Sequence, residues 1–112
     1  MQYLEPQHLD KKQSEMQLLS SKIEEVKEAI ISITTYDISY EFIVKTLNNI
    51  DLSDSEIVRT FLLGVSNLVR RFQKIDQTLY DKVLSIHQGQ NEIQKGLAED
   101  VIDDINIYVS LL

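Results

Sequence analysis

Apolar residues return at steps of three and four along most of this chain. Between residues 9 and 33 they are Leu9, Met16, Leu19, Ile23, Val26, Ile30 and Ile33. Between 58 and 86 they are Val58, Phe61, Val65, Leu68, Phe72, Ile75, Leu79 and Ile86. A third stripe follows at Ile93, Leu97, Val101, Ile105, Tyr108 and Leu112. Alternating threes and fours average about 3.5 residues, the repeat of a helix that lays a seam along another helix. The pattern predicts helices over about 9–33, from the capping segment at 53 to about His87, and from Asn91 onward.

Local chemistry places the boundaries. Ser32-Ile33-Thr34-Thr35 is β-branched and hydroxyl-rich, which weakens a helix, and Asp37 can cap a new one. A short helix is expected over about 38–48, ended by Asn48-Asn49. Ser53-Asp54-Ser55-Glu56 has the spacing of a capping box, with Ser53 as the N-cap. Gln88-Gly89-Gln90 breaks the next helix, with Gly89 expected as a left-handed cap, and Asn91 caps the last. Gly96 inside that helix costs up to about 1 kcal/mol relative to alanine. Lys12 and Lys82 fall on seam positions, where a lysine near a helix end can extend its stem along the seam.

These elements predict an all-α fold: an antiparallel bundle of three long helices plus one short helix at one end, since short connections make neighbours antiparallel. The same stripes would also suit a long helical hairpin completed by dimerisation. Residues 1–8 are expected to be a flexible N-terminus and 9–112 a single helical-bundle domain.

Composition narrows the class. With 112 residues the chain suits one domain, and 43% hydrophobic content is enough for a core. Only Gly 3 and Pro 1 are present, which disfavours folds that spend glycine on tight turns and phosphate loops. The net charge of −7 opposes a nucleic-acid or anionic-membrane ligand and suits a basic protein partner. Cys 0 removes disulfides, thiolate chemistry and cysteine metal sites. Residues 1–12 have no apolar core of signal-peptide length, and no apolar run reaches the roughly 20 residues needed to span a bilayer. A cytoplasmic location is the expectation, with export without a cleaved signal peptide left open.

Candidate chemistry is sparse. The only histidines are His8 and His87, with no serine or carboxylate arranged locally to use them. Glu99 with Asp103, and Asp100 with Asp104, lie one turn apart, but di-iron bundles use Glu-x-x-His and the calcium loop needs a central glycine. No metal site, cofactor or enzymatic activity is expected. The basic residues Arg70, Arg71 and Lys74, with Arg59 and Lys82 on either side, read as a stripe facing the acidic last helix or solvent. A helix-turn-helix reading would set Asp54 and Glu56 against phosphate and is disfavoured.

Two surfaces remain. Tyr36, Tyr40 and Phe42 fall close together with Ile38, and a short helix apolar on both sides is either wedged in a core or exposes a patch. Leu18, Ile31 and Leu63 also fall off the seams. Residues 88–112 hold five acids against Lys95, a face suited to a basic partner. The expected function is therefore a non-enzymatic helical protein-interaction module: an adaptor, chaperone-like partner or small regulatory subunit. Tyr36, Ile38, Tyr40 and Phe42 are its apolar contacts, and Asp100, Asp103 and Asp104 its charged contacts. The alternatives are a coiled-coil-type homo-oligomer and an acidic, phage-type inhibitor of a nucleic-acid enzyme.

Overall fold

The computed structural model describes residues 9–109, which form six helices and no strand. They are α1 (Lys11–Leu18), α2 (Ile23–Tyr36), α3 (Tyr40–Asn48), α4 (Ser55–Phe72), α5 (Gln77–His87) and α6 (Glu92–Tyr108). The all-helical expectation holds. Both long seams, however, are broken in two, so three long helices and one short one become six. The expected flexible segment 1–8, with His8, and the stripe's last position, Leu112, lie outside the described residues.

Each break has a local cause. Between α1 and α2 stands Ser20-Ser21, and serine hydroxyls compete for backbone groups. Ser20 Oγ accepts from the Lys22 amide at 3.0 Å. Between α4 and α5, Gln73 is left-handed at φ 58° and donates its amide to the Val69 carbonyl at 2.8 Å. Asp76 then caps α5 by accepting from the Thr78 amide at 3.1 Å. The apolar rhythm runs on through both breaks because the residues on either side face the same core.

Several caps differ from expectation by one or two residues. The N-cap of α4 is Asp54 rather than Ser53; its carboxylate accepts from the Glu56 and Ile57 amides at 2.8 and 3.3 Å. Ser53 instead donates its amide to Asp51, whose carboxyl is thereby held below its ordinary range. Ser39, not Asp37, caps α3, and Asp37 accepts from the Ser39 amide at 2.8 Å. Gly89 is not left-handed; α5 ends through right-handed Gln88. Asn91 caps α6 as expected, accepting from the Gln94 amide at 3.0 Å. The weakening threonines do not stop α2 before Tyr36. Thr34 is buried, and its hydroxyl returns a hydrogen bond to the Ile30 carbonyl at 2.9 Å.

Sequence neighbours run antiparallel, whereas the main packed pairs run parallel. The Leu9 amide, ahead of α1, meets Ser32 late in α2, and Gln17 at the end of α1 meets Glu25 early in α2. By contrast Lys27 pairs with Glu56 near the starts of α2 and α4, and Arg71 reaches Thr34 near their ends. Arg70 pairs with Asp104 near the ends of α4 and α6. Thus α2, α4 and α6 share one direction, and α3 and α5 are the returns between them.

The centre is α4. Ten of its eighteen residues are buried, among them Phe61, Val65, Leu68 and Val69 at zero exposure. It packs against α2, α3 and α6. Gly64 makes this closeness workable: a Cβ there would sit 3.1–3.2 Å from Thr34 Cγ2, Ile30 Cγ2 and Leu47 Cδ2, on two different helices. At Gly96, in α6, the same Cβ would meet nothing within 4 Å.

These two glycines predict opposite outcomes for one substitution. Gly64→Ala should destabilise by about 1–3 kcal/mol through overpacking. Gly96→Ala should stabilise by about 0.5–1 kcal/mol through backbone entropy. Denaturant midpoints of the two variants check this, and shifts of the same sign would refute it.

Candidate interaction surfaces

The four predicted apolar contacts do not form one patch. Ile38 is not on α3 at all; it precedes the Ser39 cap and is 89% exposed. With Tyr36 it borders a small pocket of about 190 Å³ beside Leu9 and Ser14. Tyr40 turns instead to the end of α4, its ring edge-on to Phe72 at a centroid distance of 5.5 Å. Lys74 Nζ lies 4.2 Å from the Tyr40 ring centroid. Burial, then the nearby charges of Asp76 and Glu41, raises the Tyr40 phenol above its ordinary value of 10.0. Phe42 carries Lys11 Nζ over its ring at 4.1 Å and lines an open groove. The inward residues of α3 are Ile43 and Leu47, both fully buried.

That groove, about 790 Å³, lies among α1, α2, α3 and the segment leading into α4. Leu18, Ile23, Val26, Phe42, Ile50 and Ile57 give it an apolar lining, with Lys11, Lys45, Asp51 and Asp54 among its polar residues. A second groove of about 540 Å³ runs between α2, α4 and α6 over Ile31, Leu62, Leu63 and Leu97. Ion pairs stand at two places along it: Lys27–Glu56 at 3.4 Å and Arg70–Asp104 at 3.0 Å. The off-seam residues thus divide, with Leu18 in the first groove and Ile31 and Leu63 in the second.

The three predicted acidic contacts also separate. Asp104 is turned inward onto Arg70, its side chain only 16% exposed. Asp100 borders the second groove, and Asp103 is exposed outside it. The basic stripe, expected to face the last helix or solvent, divides: Arg70 pairs with Asp104, and Arg59, Arg71 and Lys74 are exposed.

Two cations act in a way the sequence reading missed. Arg71 donates to the Thr34 and Asp37 carbonyls at 2.9 and 2.6 Å, closing the end of α2. Lys82 donates to the Asn48 carbonyl at 2.6 Å, closing the end of α3. Charged donors at helix C-termini satisfy carbonyls that have no partner within the helix. Lys82 therefore bonds a neighbouring helix rather than only extending along its own seam. The acceptors are at least 34 positions away in the chain, so no local pattern announces these bonds.

Among the described residues no three His, Cys, Asp or Glu side chains are grouped to hold a metal. No helix there is long and apolar enough to cross a membrane. What the surface offers is two open, apolar-floored grooves with charged edges, a geometry suited to contacts with another macromolecule.

No protein-family model matches the chain, and no curated protein matches it. Among solved structures, a chain in the crystal structure of a CDI complex from Cupriavidus taiwanensis shares this fold, with a TM-score of 0.82. The match covers 98% of this chain and 99% of that one, at 23% identity. It is a likeness of fold from end to end.

The split of the aromatic cluster sets a prediction. Ile38→Ser should leave the unfolding free energy within about 0.5 kcal/mol of the parent, whereas Tyr40→Ala should cost about 2 kcal/mol by stripping the ring from Phe72. Equal losses in chemical denaturation would return Ile38 to the core. The Tyr40 phenol adds a pH dependence. Its folded-state pKa is raised, so its contribution is complete below the unfolded value and fades as pH rises through the folded one. Tyr40→Phe should therefore flatten the loss of stability on the alkaline side, measured as denaturant midpoint against pH.

Proposed function

We propose that this chain is a non-enzymatic protein-binding module of the immunity type, which holds a toxin domain in an inactive complex inside the cytoplasm. The observation that carries this reading is the end-to-end likeness to a chain found in a CDI complex. The shape supports it, because a compact helical body with two open apolar grooves offers room for a protein contact. The charge supports it too: a net charge of −7 favours fast association with a basic domain. The acidic inhibitor of a nucleic-acid enzyme becomes a special case of this reading, with the toxin domain as the enzyme.

An immunity-type protein must be made together with the toxin that it restrains, so the probe is the protein domain encoded next to this chain in its genome, tested as the toxin. Light scattering of the mixture should show a one-to-one complex, and co-production of the chain should restore growth to cells that make the toxin. Neither complex nor rescue would overturn the reading. A stable dimer of the 13.0 kDa chain with no uptake of the domain would put self-assembly in its place.

A further inference from the structure

The outer face of α6 has no partner within the described residues. This helix packs on α4 and α5 through Ala98, Val101 and Ile105, all buried. Opposite them, Ile93, Gly96, Asp100, Asp103 and Ile107 follow steps of three, four, three and four, so they form one line along the helix. Ile93 and Ile107 are 71% and 72% exposed, at the two ends of a line about 21 Å long. Between them, Asp100 and Asp103 are exposed and make no ion pair, with Glu99 beside them.

Gly96 sits in this line for no internal reason. It has no left-handed backbone, and nothing crowds its missing Cβ. At Gly64 the absent side chain is explained by two neighbouring helices, whereas at Gly96 it leaves a notch open to the outside. Glycine serves where another backbone approaches closely, and here that backbone would have to come from another molecule.

The geometry points to this face as the docking surface for a basic protein segment, with apolar contacts at Ile93 and Ile107 and lysine or arginine between them at Asp100 and Asp103. This rests on the protein-binding reading above and names the face and the chemistry of the partner. A second copy does not fit. Two such faces laid antiparallel about Asp100 would bring Ile93 onto Ile107 but would set aspartate against aspartate. A nucleic acid or an anionic membrane meets the same repulsion. Asp104 is outside the surface because Arg70 holds it.

The first probe is a synthetic amphipathic helix of leucine and lysine, titrated into the full chain and followed by backbone amide chemical shifts. The shifts should fall along residues 93–107. Asp100→Lys with Asp103→Lys, and separately Ile93→Ser with Ile107→Ser, should each weaken binding by about tenfold or more. Glu41→Lys with Asp81→Lys makes the same charge change at exposed sites on α3 and α5 and should change affinity by less than about twofold. Shifts centred elsewhere, no saturable binding, or equal losses from the control pair would overturn the docking surface. The same variants are then tested on the neighbouring toxin domain. If that domain binds the parent and all variants alike, the docking surface fails and the proposed function stands. If it binds none while the peptide still maps to α6, the surface stands and the toxin assignment fails.

Discussion

Everything in this fold is arranged around the need to bury α4 on several sides at once. A helix with ten buried residues in eighteen needs neighbours on more than one side, while Glu56, Arg59, Leu63 and Arg70 keep one face exposed. It has to be enclosed, and in a chain of 112 residues the enclosure must come from short helices that turn back repeatedly. The breaks at Ser20-Ser21 and Gln73 answer that demand, because an unbroken rod over 9–36 or 55–87 would overrun the core. Gly64 is the tightest point of the enclosure. There α2 and α3 come so near α4 that one methyl group would meet side chains of both. Two buried threonines of α4 and α2 have internal partners. Thr60 donates to the Glu56 carbonyl, and Thr34 donates to Ile30 and accepts from Asn67.

The helical class was legible because 3.5-residue periodicity is loud, and Val58, Phe61, Val65 and Leu68 are as buried as the stripe implies. Other stripe members are not: Leu19 is 89% exposed, Met16 65% and Ile93 71%. A pattern of spacing states which residues share a face, not whether anything covers it. The helix breaks were hidden for a related reason. Phe72, Ile75 and Leu79 keep the rhythm across Gln73 because a chain that kinks and returns to the same core needs apolar residues at much the same intervals. The capping errors were small and followed local competition. Where Ser53 and Asp54 both could cap α4, the carboxylate took the amides of Glu56 and Ile57 and Ser53 turned to Asp51. The division of the aromatics had no local signal, since it depends on Ser39 rather than Asp37 starting α3 and on Phe72 lying 32 residues beyond Tyr40.

The charge balance acquires a sharper meaning in three dimensions. Several cations are tied to internal groups: Lys27 and Arg70 to carboxylates, Arg71 and Lys82 to helix-end carbonyls, and Lys11 and Lys74 over aromatic rings. Many acids are held as well: Asp54 and Asp76 cap helices, Asp37 and Asp51 accept amides, and Glu24, Glu56 and Asp104 meet cations. A cation already bonded within the fold must break that bond to meet a partner's carboxylate, whereas an unpaired surface acid needs only to exchange water. Exposed acids without an ion pair among the described residues, Asp100 and Asp103 among them, are therefore those that meet a partner at least cost. Two of the cations are committed by the architecture itself, because Arg71 and Lys82 close the ends of α2 and α3.

The fold is shared at 23% identity over almost the whole of two chains. In this chain it rests on an amphipathic central helix with a broad buried face, returns of the right length and a few close approaches. It places little constraint on the outer face of α6, where Gly96 touches nothing and Ile93 and Ile107 face solvent. Residues that the fold does not need and that local helix energetics disfavour call for another cause. A glycine in the exposed middle of a helix and isoleucines left in water are each unfavourable for an isolated chain. Contact with a second molecule reverses both signs, since the notch admits a close backbone and the isoleucines are covered. The sites of least internal constraint are therefore where recognition is most readily built, and in this protein they lie on the side of α6 that faces away from α4.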